Sequence, residues 1–200
     1  KSRAIVEYGI EALKAVWHRG AVDADGKTGD GAGIHVEIPK DFFIEKIEVT
    51  GHDYDNSEIC VGMIFLPRND YTSQESCKTI VESELTKNDF SIYGWRQVPV
   101  NPKILGEKAF QTMPEIIQVL FKPNNPNLID KILERKIYET RKKIENKAFE
   151  LSLNNFYICS ISSKSIIYKG LYLAQSISDF YLDLRDKRFV SRYAIFHQRF

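Results

Sequence analysis

Two hundred residues with 43% hydrophobic, 28% charged and 12% aromatic side chains make a chain able to bury a core, which excludes a disordered or low-complexity protein. The longest apolar run, residues 61–66, is far short of a membrane span, and the charged first residues do not read as a secretory signal. The formal net charge of +1 conceals an asymmetry: residues 1–100 carry 11 Lys and Arg against 17 Asp and Glu, whereas residues 101–200 carry 17 against 10.

In chain order, Ser2 suits a helix N-cap, and Ala4, Ile5, Tyr8, Ala12, Leu13, Val16 and Trp17 recur behind it at helical spacing. That helix is expected to stop at His18, Arg19 and Gly20, with Gly20 taking the left-handed conformation that ends helices. Residues 21–31 set Gly26, Gly29 and Gly31 among Asp23, Asp25 and Asp30, with Gly33 just beyond, and predict a loop of tight turns. Residues 34–38 alternate apolar and polar, the pattern of a half-buried strand. Pro39 then begins a short helix over 40–47, residues 58–66 form a strand, residues 72–85 a helix, and residues 90–100 an extended segment closed by Pro99 and Pro102.

A long helix is predicted over 128–150, with Asn127 as its cap. Basic residues crowd its stretch 131–147, but Glu134, Glu139 and Glu145 interleave with them, so the stretch reads as a solvated, ion-paired face and not as a nucleic-acid surface. Strands at 156–161 and 165–168 are joined as a hairpin across Ser162, Ser163 and Lys164. A short helix or turn at 176–184 and a final strand at 189–196 complete the series. Strands in hairpins and helices in blocks predict an α+β chain with largely antiparallel sheet, and the length favours one domain.

Motifs that carry chemistry are few. Gly26-Lys27-Thr28 resembles the end of a phosphate loop, but that motif needs glycine at position 21, where Ala21 stands, and no hydrophobic strand precedes it. Residues 29–33 read GxGxG ahead of a strand, not the GxGxxG that opens a dinucleotide-binding helix. His18, His35, His52 and His197 share no metal-ligand spacing, and no metal is expected. Cys60, Cys77 and Cys159 are odd in number, far apart and set in apolar surroundings, which points to buried thiols in a reducing, cytoplasmic setting.

The Gly/Asp loop carries a resemblance. Residues 17–21, then 25–34 (DGKTGDGAGI), Ile38-Pro39, Phe42-Phe43, residues 61–67 (VGMIFLP), residues 94–100 (GWRQVPV), Leu105-Gly106, Pro114 and residues 118–121 are similar, in order, to the large subunit of glutamate synthase. The match continues through residues 157–163 and 167–170 to His197-Gln198-Arg199-Phe200, which resembles the start of the family's HQRFSTNT segment. The family's N-terminal domain is a class II glutamine amidotransferase. The resemblance therefore implies an N-terminal-nucleophile αββα sandwich of which residues 1–200 are the first part, truncated at both ends.

The same resemblance implies the chemistry. The family's nucleophile is an N-terminal cysteine whose own α-amino group, with a pKa of about 7.7–8.0, takes the thiol proton. The thiolate attacks the side-chain amide of glutamine, and the ammonia released serves the reductive amination of 2-oxoglutarate to glutamate. Arg199 matches the arginine that holds the glutamine carboxylate, Arg19 the supporting arginine of the HRG motif, and Asp30 and Gly31 the loop beside the pocket. The nucleophile is expected upstream of Lys1 and the Asn-Gly oxyanion hole beyond Phe200, so the chain is expected to be inactive alone. FMN and an iron–sulfur cluster would lie in later domains, with a reductase subunit or ferredoxin as electron donor. The alternative is an amidotransferase-like binding domain without catalysis. Neither a membrane nor a nucleic acid is an expected partner.

Overall fold

The computed structural model describes residues 1–199 and divides the chain into two compact units, each with its own antiparallel sheet and its own core. Mixed helix and antiparallel sheet is the predicted α+β composition.

The first unit comprises Lys1–Pro39, Val98–Met113 and Ile167–Phe200. Helix α1 (Arg3–Ala15) begins where the sequence predicts, with Ser2 Oγ accepting the Ala4 N–H at 3.1 Å. Its buried face is Val6, Gly9, Ile10 and Leu13, whereas Tyr8 and Trp17 point to solvent. The periodicity missed this phase because Gly9 does not register as apolar. A Cβ at Gly9 would lie 2.4 Å from the Cβ of Ala194, so glycine is what lets the helix close on the strand beneath it. That strand is β7 (Ala194–Gln198), paired antiparallel with β1 (Ala32–Glu37) from Ala32–Gln198 to Val36–Ala194. The sheet order is β6-β1-β7, with β6 spanning Ser165–Gly170.

Strand β1 is not half-buried: Ala32, Ile34 and Val36 are fully covered, and Glu37 on the opposite face is only 4% exposed. Its carboxylate is admitted there by Arg192, which donates its backbone N–H at 2.6 Å and its Nε at 2.8 Å. Phe189 belongs to the turn before β7 and not to the final strand. It is buried against Tyr168, which packs edge-on to Tyr181 at 4.9 Å and donates its hydroxyl to buried Asp183 at 3.0 Å. Residues 174–185 form short helical turns around α6 (Ile177–Phe180), as expected for 176–184.

The second unit comprises Lys40–Gln97 and Pro114–Ile166. It holds α2 (Lys40–Val49), β2 (Cys60–Leu66), α3 (Tyr71–Lys87), β3 (Phe90–Gln97), β4 (Glu115–Pro123), α5 (Asp130–Glu150) and β5 (Tyr157–Ser162). The sheet order is β3-β4-β2-β5, every pair antiparallel. Strand β4 has no counterpart in the periodicity reading. Its residues 116–121 are buried on both faces, so the apolar run shows no alternation.

Helices α3 and α5 cover this sheet through Cys77, Val81, Leu85, Leu133, Ile137 and Ile144, which pack against Ile64, Val119 and Phe121. On α5 the expected ion pairs form at Arg135–Glu139 and Arg141–Glu145, both one helical turn apart. Its cap is Ile129 and not Asn127, without a side-chain hydrogen bond. Glu134 does not join the ion pairs. It accepts the Ser163 N–H and Oγ at 2.7 Å and Ser162 Oγ at 2.9 Å, and so pins the turn that follows β5. Strands β5 and β6 do not form the predicted hairpin, since β5 pairs with β2 and β6 takes the edge beside β1.

Candidate functional site

All four residues singled out by resemblance, Arg19, Asp30, Gly31 and Arg199, lie in the first unit. After α1 the chain makes one 3-10 turn, Trp17–Arg19, and Gly20 follows in extended conformation at φ −93°, ψ 150°. The predicted left-handed cap is absent. A Cβ at Gly20 would fall 2.0 Å from Gln198 Nε2 and 3.1 Å from Asp30 Oδ1, so any larger residue would displace the Gln198 side chain.

Residues 21–31 form the expected loop, and its turns are closed from within. Asp25 Oδ1 accepts the Lys27 and Thr28 N–H groups at 2.9 and 2.7 Å, while Oδ2 accepts Thr28 Oγ1 at 2.5 Å. These donors, the Thr28 hydroxyl foremost, hold the Asp25 carboxyl far below the usual carboxylate range. The Lys27 and Thr28 N–H groups thus turn inward to a carboxylate and the Gly26 N–H to the Asp23 carbonyl, an arrangement unlike that of a phosphate loop. Lys108, on α4 (Glu107–Gln111), ties the loop down through Asp23 at 2.7 Å.

The loop ends against the last residues of β7. The Arg199 N–H donates to Gly31 O at 2.7 Å, and Arg199 Nε stands 3.5 Å from Asp30 Oδ2. Arg199 holds φ at 109° and Gly31 at 120°, values that L side chains rarely adopt, so the junction carries local strain at Arg199. The Arg199 side chain is 72% exposed and reaches toward solvent, while that of Asp30 is 25% exposed. Asp30 Oδ1 and Gln198 Oε1 are both buried without a hydrogen-bond partner among the described residues. The Arg19 side chain is exposed and has no hydrogen bond or ion pair among the described residues, its backbone N–H donating to Val16 O, so the geometry brings Asp30, Gly31 and Arg199 together and leaves Arg19 apart. Phe200, the last residue of the matched motif, lies outside the described residues.

Two contributors escaped the sequence reading. Gln198, met in the sequence only as a motif residue without a role, stands with Asp30 beside Gly20, and Glu37 latches the start of β7 through Arg192, with Lys1 3.7 Å from the same carboxylate. Burial pushes the Glu37 carboxyl up, but the Arg192 donors and the Lys1 charge outweigh it and the net shift is downward.

Cys60, Cys77 and Cys159 all lie in the second unit and are buried. Burial drives the Cys60 thiol well above its ordinary value and pushes Cys77 up to about 11, so neither thiol is activated as a nucleophile. No three His, Cys, Asp or Glu side chains among the described residues stand together as metal ligands. No helix among them is long and apolar enough to cross a membrane.

Comparison of the whole chain with known proteins adds the family. The sequence profile of the class-II glutamine amidotransferases matches residues 1–200, and the chain belongs to that family. It is 53% identical over 198 residues to the NADPH glutamate synthase large chain of Azospirillum brasilense, a match covering 99% of this chain and 13% of that protein. It is 39% identical to the chloroplastic/mitochondrial ferredoxin-dependent glutamate synthase 1 of Arabidopsis thaliana, covering 100% of this chain and 12% of that protein. To the chloroplastic ferredoxin-dependent enzyme of Spinacia oleracea it is 36% identical, covering 98% of this chain and 12% of that one. The chain thus spans about an eighth of the length of these relatives.

Proposed function

We propose that the chain forms part of the glutaminase domain of a glutamate synthase, in which ammonia released from glutamine is used for the reductive amination of 2-oxoglutarate to glutamate. The observation that carries the reading is Arg199, fixed by its backbone to Gly31 O and standing with Nε beside Asp30, with most of its side chain exposed. A guanidinium pairs both oxygens of a carboxylate at once, which suits it to the α-carboxylate of glutamine.

The nucleophile in this reading is an N-terminal cysteine from outside these residues, since the three cysteines present are buried and those at positions 60 and 77 have raised thiol pKa values. Its α-amino group takes the thiol proton, the thiolate attacks the amide carbon, and ammonia leaves from a glutamyl thioester that water then hydrolyses. An Asn-Gly pair, also outside these residues, stabilises the oxyanion. Arg19 keeps only the supporting role that the resemblance gives it, since its exposed side chain contacts none of Asp30, Gly31 and Arg199 among the described residues. In this reading FMN and iron–sulfur chemistry, together with the ferredoxin or reductase contact, fall to other parts of the polypeptide. The cytoplasmic setting read from the cysteines belongs to the same proposal, although several relatives are chloroplastic by name.

The test is a glutaminase assay on two preparations. These 200 residues alone should release no ammonia above background, whereas the complete polypeptide should hydrolyse glutamine and be inactivated by a thiol-directed glutamine analogue. Hydrolysis by the isolated chain, or a complete polypeptide indifferent to the analogue, would contradict the proposal.

A further inference from the structure

We propose that Asp30 is a positioning residue for glutamine, acting through Arg199; the inference rests on the glutamine reading of Arg199 given above. Asp30 contacts Arg199 at Nε, by way of Oδ2 at 3.5 Å. At that distance the contact is an ion pair and not a hydrogen bond, and being made at Nε it leaves the fork of terminal nitrogens for a ligand carboxylate. The Arg199 backbone is fixed at the same time by the 2.7 Å bond to Gly31 O, so main chain and side chain are tied to adjacent loop residues.

Two observations set this contact apart from an ordinary surface ion pair. The other carboxylate oxygen, Oδ1, is buried with no hydrogen-bond donor, so the loop does not neutralise Asp30 as it does Asp25. The Arg199 guanidinium is the cation that compensates it among the described residues. The space that holds Oδ1 also exists by design of the backbone: at Gly20 any Cβ would press on Gln198 Nε2 at 2.0 Å and approach Oδ1 at 3.1 Å. The Asp30 side chain is mostly buried, and such a partner beside Nε leaves Arg199 less freedom to lose when a ligand arrives.

The experiment uses the complete polypeptide and steady-state glutaminase kinetics. Asp30→Asn keeps the shape and removes the charge. It should raise the glutamine KM about three- to tenfold, the cost of ordering one long side chain, with kcat within about twofold. Asp30→Glu, which keeps the charge, should lie closer to the native KM than Asp30→Asn does. In an Arg199→Lys background, Asp30→Asn should add nothing. An equal KM rise from Asp30→Asn in both backgrounds would overturn the assignment. So would a fall in kcat at unchanged KM accompanied by a lowered thermal midpoint, the mark of a merely structural role. Should Arg199→Lys itself leave the KM unchanged, the glutamine reading of Arg199 fails, a result separable from failure of Asp30 alone.

Discussion

Glu37 shows how one buried carboxylate can govern the placement of a strand. Its side chain is 6% exposed, yet it receives three donors from Arg192, a residue that leads into β7. Because Arg192 and Lys1 hold the carboxyl below its ordinary pKa, the ionised form is favoured in the folded chain. Its contribution to stability is therefore complete above the unfolded glutamate pKa of about 4.3 and is lost as pH falls through the lower folded value. Glu37→Gln should cost about 2 kcal/mol at pH 7, as expected for charged hydrogen bonds, and the loss should shrink toward pH 3. Urea denaturation of both proteins at the two pH values measures this. A penalty that does not vary with pH would exclude the ionic account. The cysteines give a second residue-scale expectation: a colourless disulfide reagent should titrate none of the three in the native chain and all three in denaturant, because each is at most 5% exposed. Rapid native labelling of any one would contradict the burial. At this scale Arg199 was legible through its motif, whereas Glu37 was not. An acidic residue at the polar position of an alternating strand reads as solvent-facing until its partner, 155 residues away, is known.

Among the elements, the contact of α1 with β7 rests on a missing methyl group. Gly9 faces Ala194 Cβ at 2.4 Å and Ile34 Cδ1 at 3.2 Å, counted from where its own Cβ would stand. Alanine normally stabilises a helix by about 1 kcal/mol over glycine, but overpacking of this kind costs about 1–3 kcal/mol. Gly9→Ala should therefore lower the urea midpoint, against helix propensity; a raised midpoint would show that the contact is looser than described. The same glycine explains why the phase of α1 was not legible in the sequence while its start at Ser2 was. Caps are local and visible, but a buried glycine is invisible to a hydrophobic pattern. Strand β4 went unread for the opposite reason, since a strand covered on both faces is apolar on both, here with only Gln118 interrupting, and shows no period of two. The β5–β6 hairpin failed because adjacency in sequence was taken for pairing. The Glu134 carboxylate fixes the Ser162-Ser163 turn so that the chain leaves one sheet for the other.

For the whole molecule, composition specified a folded chain, the order of its predicted elements an α+β one, and the family resemblance, carried by short segments in order along the sequence, specified which. Two units, each with its own sheet, were not foreseen from length alone. The candidate site is local to the first unit, where the Gly/Asp loop meets the end of β7, and its outline was legible because both segments carry motif residues. The pairing of Asp30 with Arg199 was not, since the two are brought together only by the β1–β7 register. The central claim is that Arg199 holds the carboxylate of glutamine. The most direct measurement is the glutamine KM of the Arg199→Ala variant of the complete polypeptide. Loss of a charge-assisted pair predicts a rise of about 10- to 100-fold, with the ratio of ammonia-driven to glutamine-driven turnover increasing in step. A glutamine KM equal to that of the unsubstituted protein would contradict it.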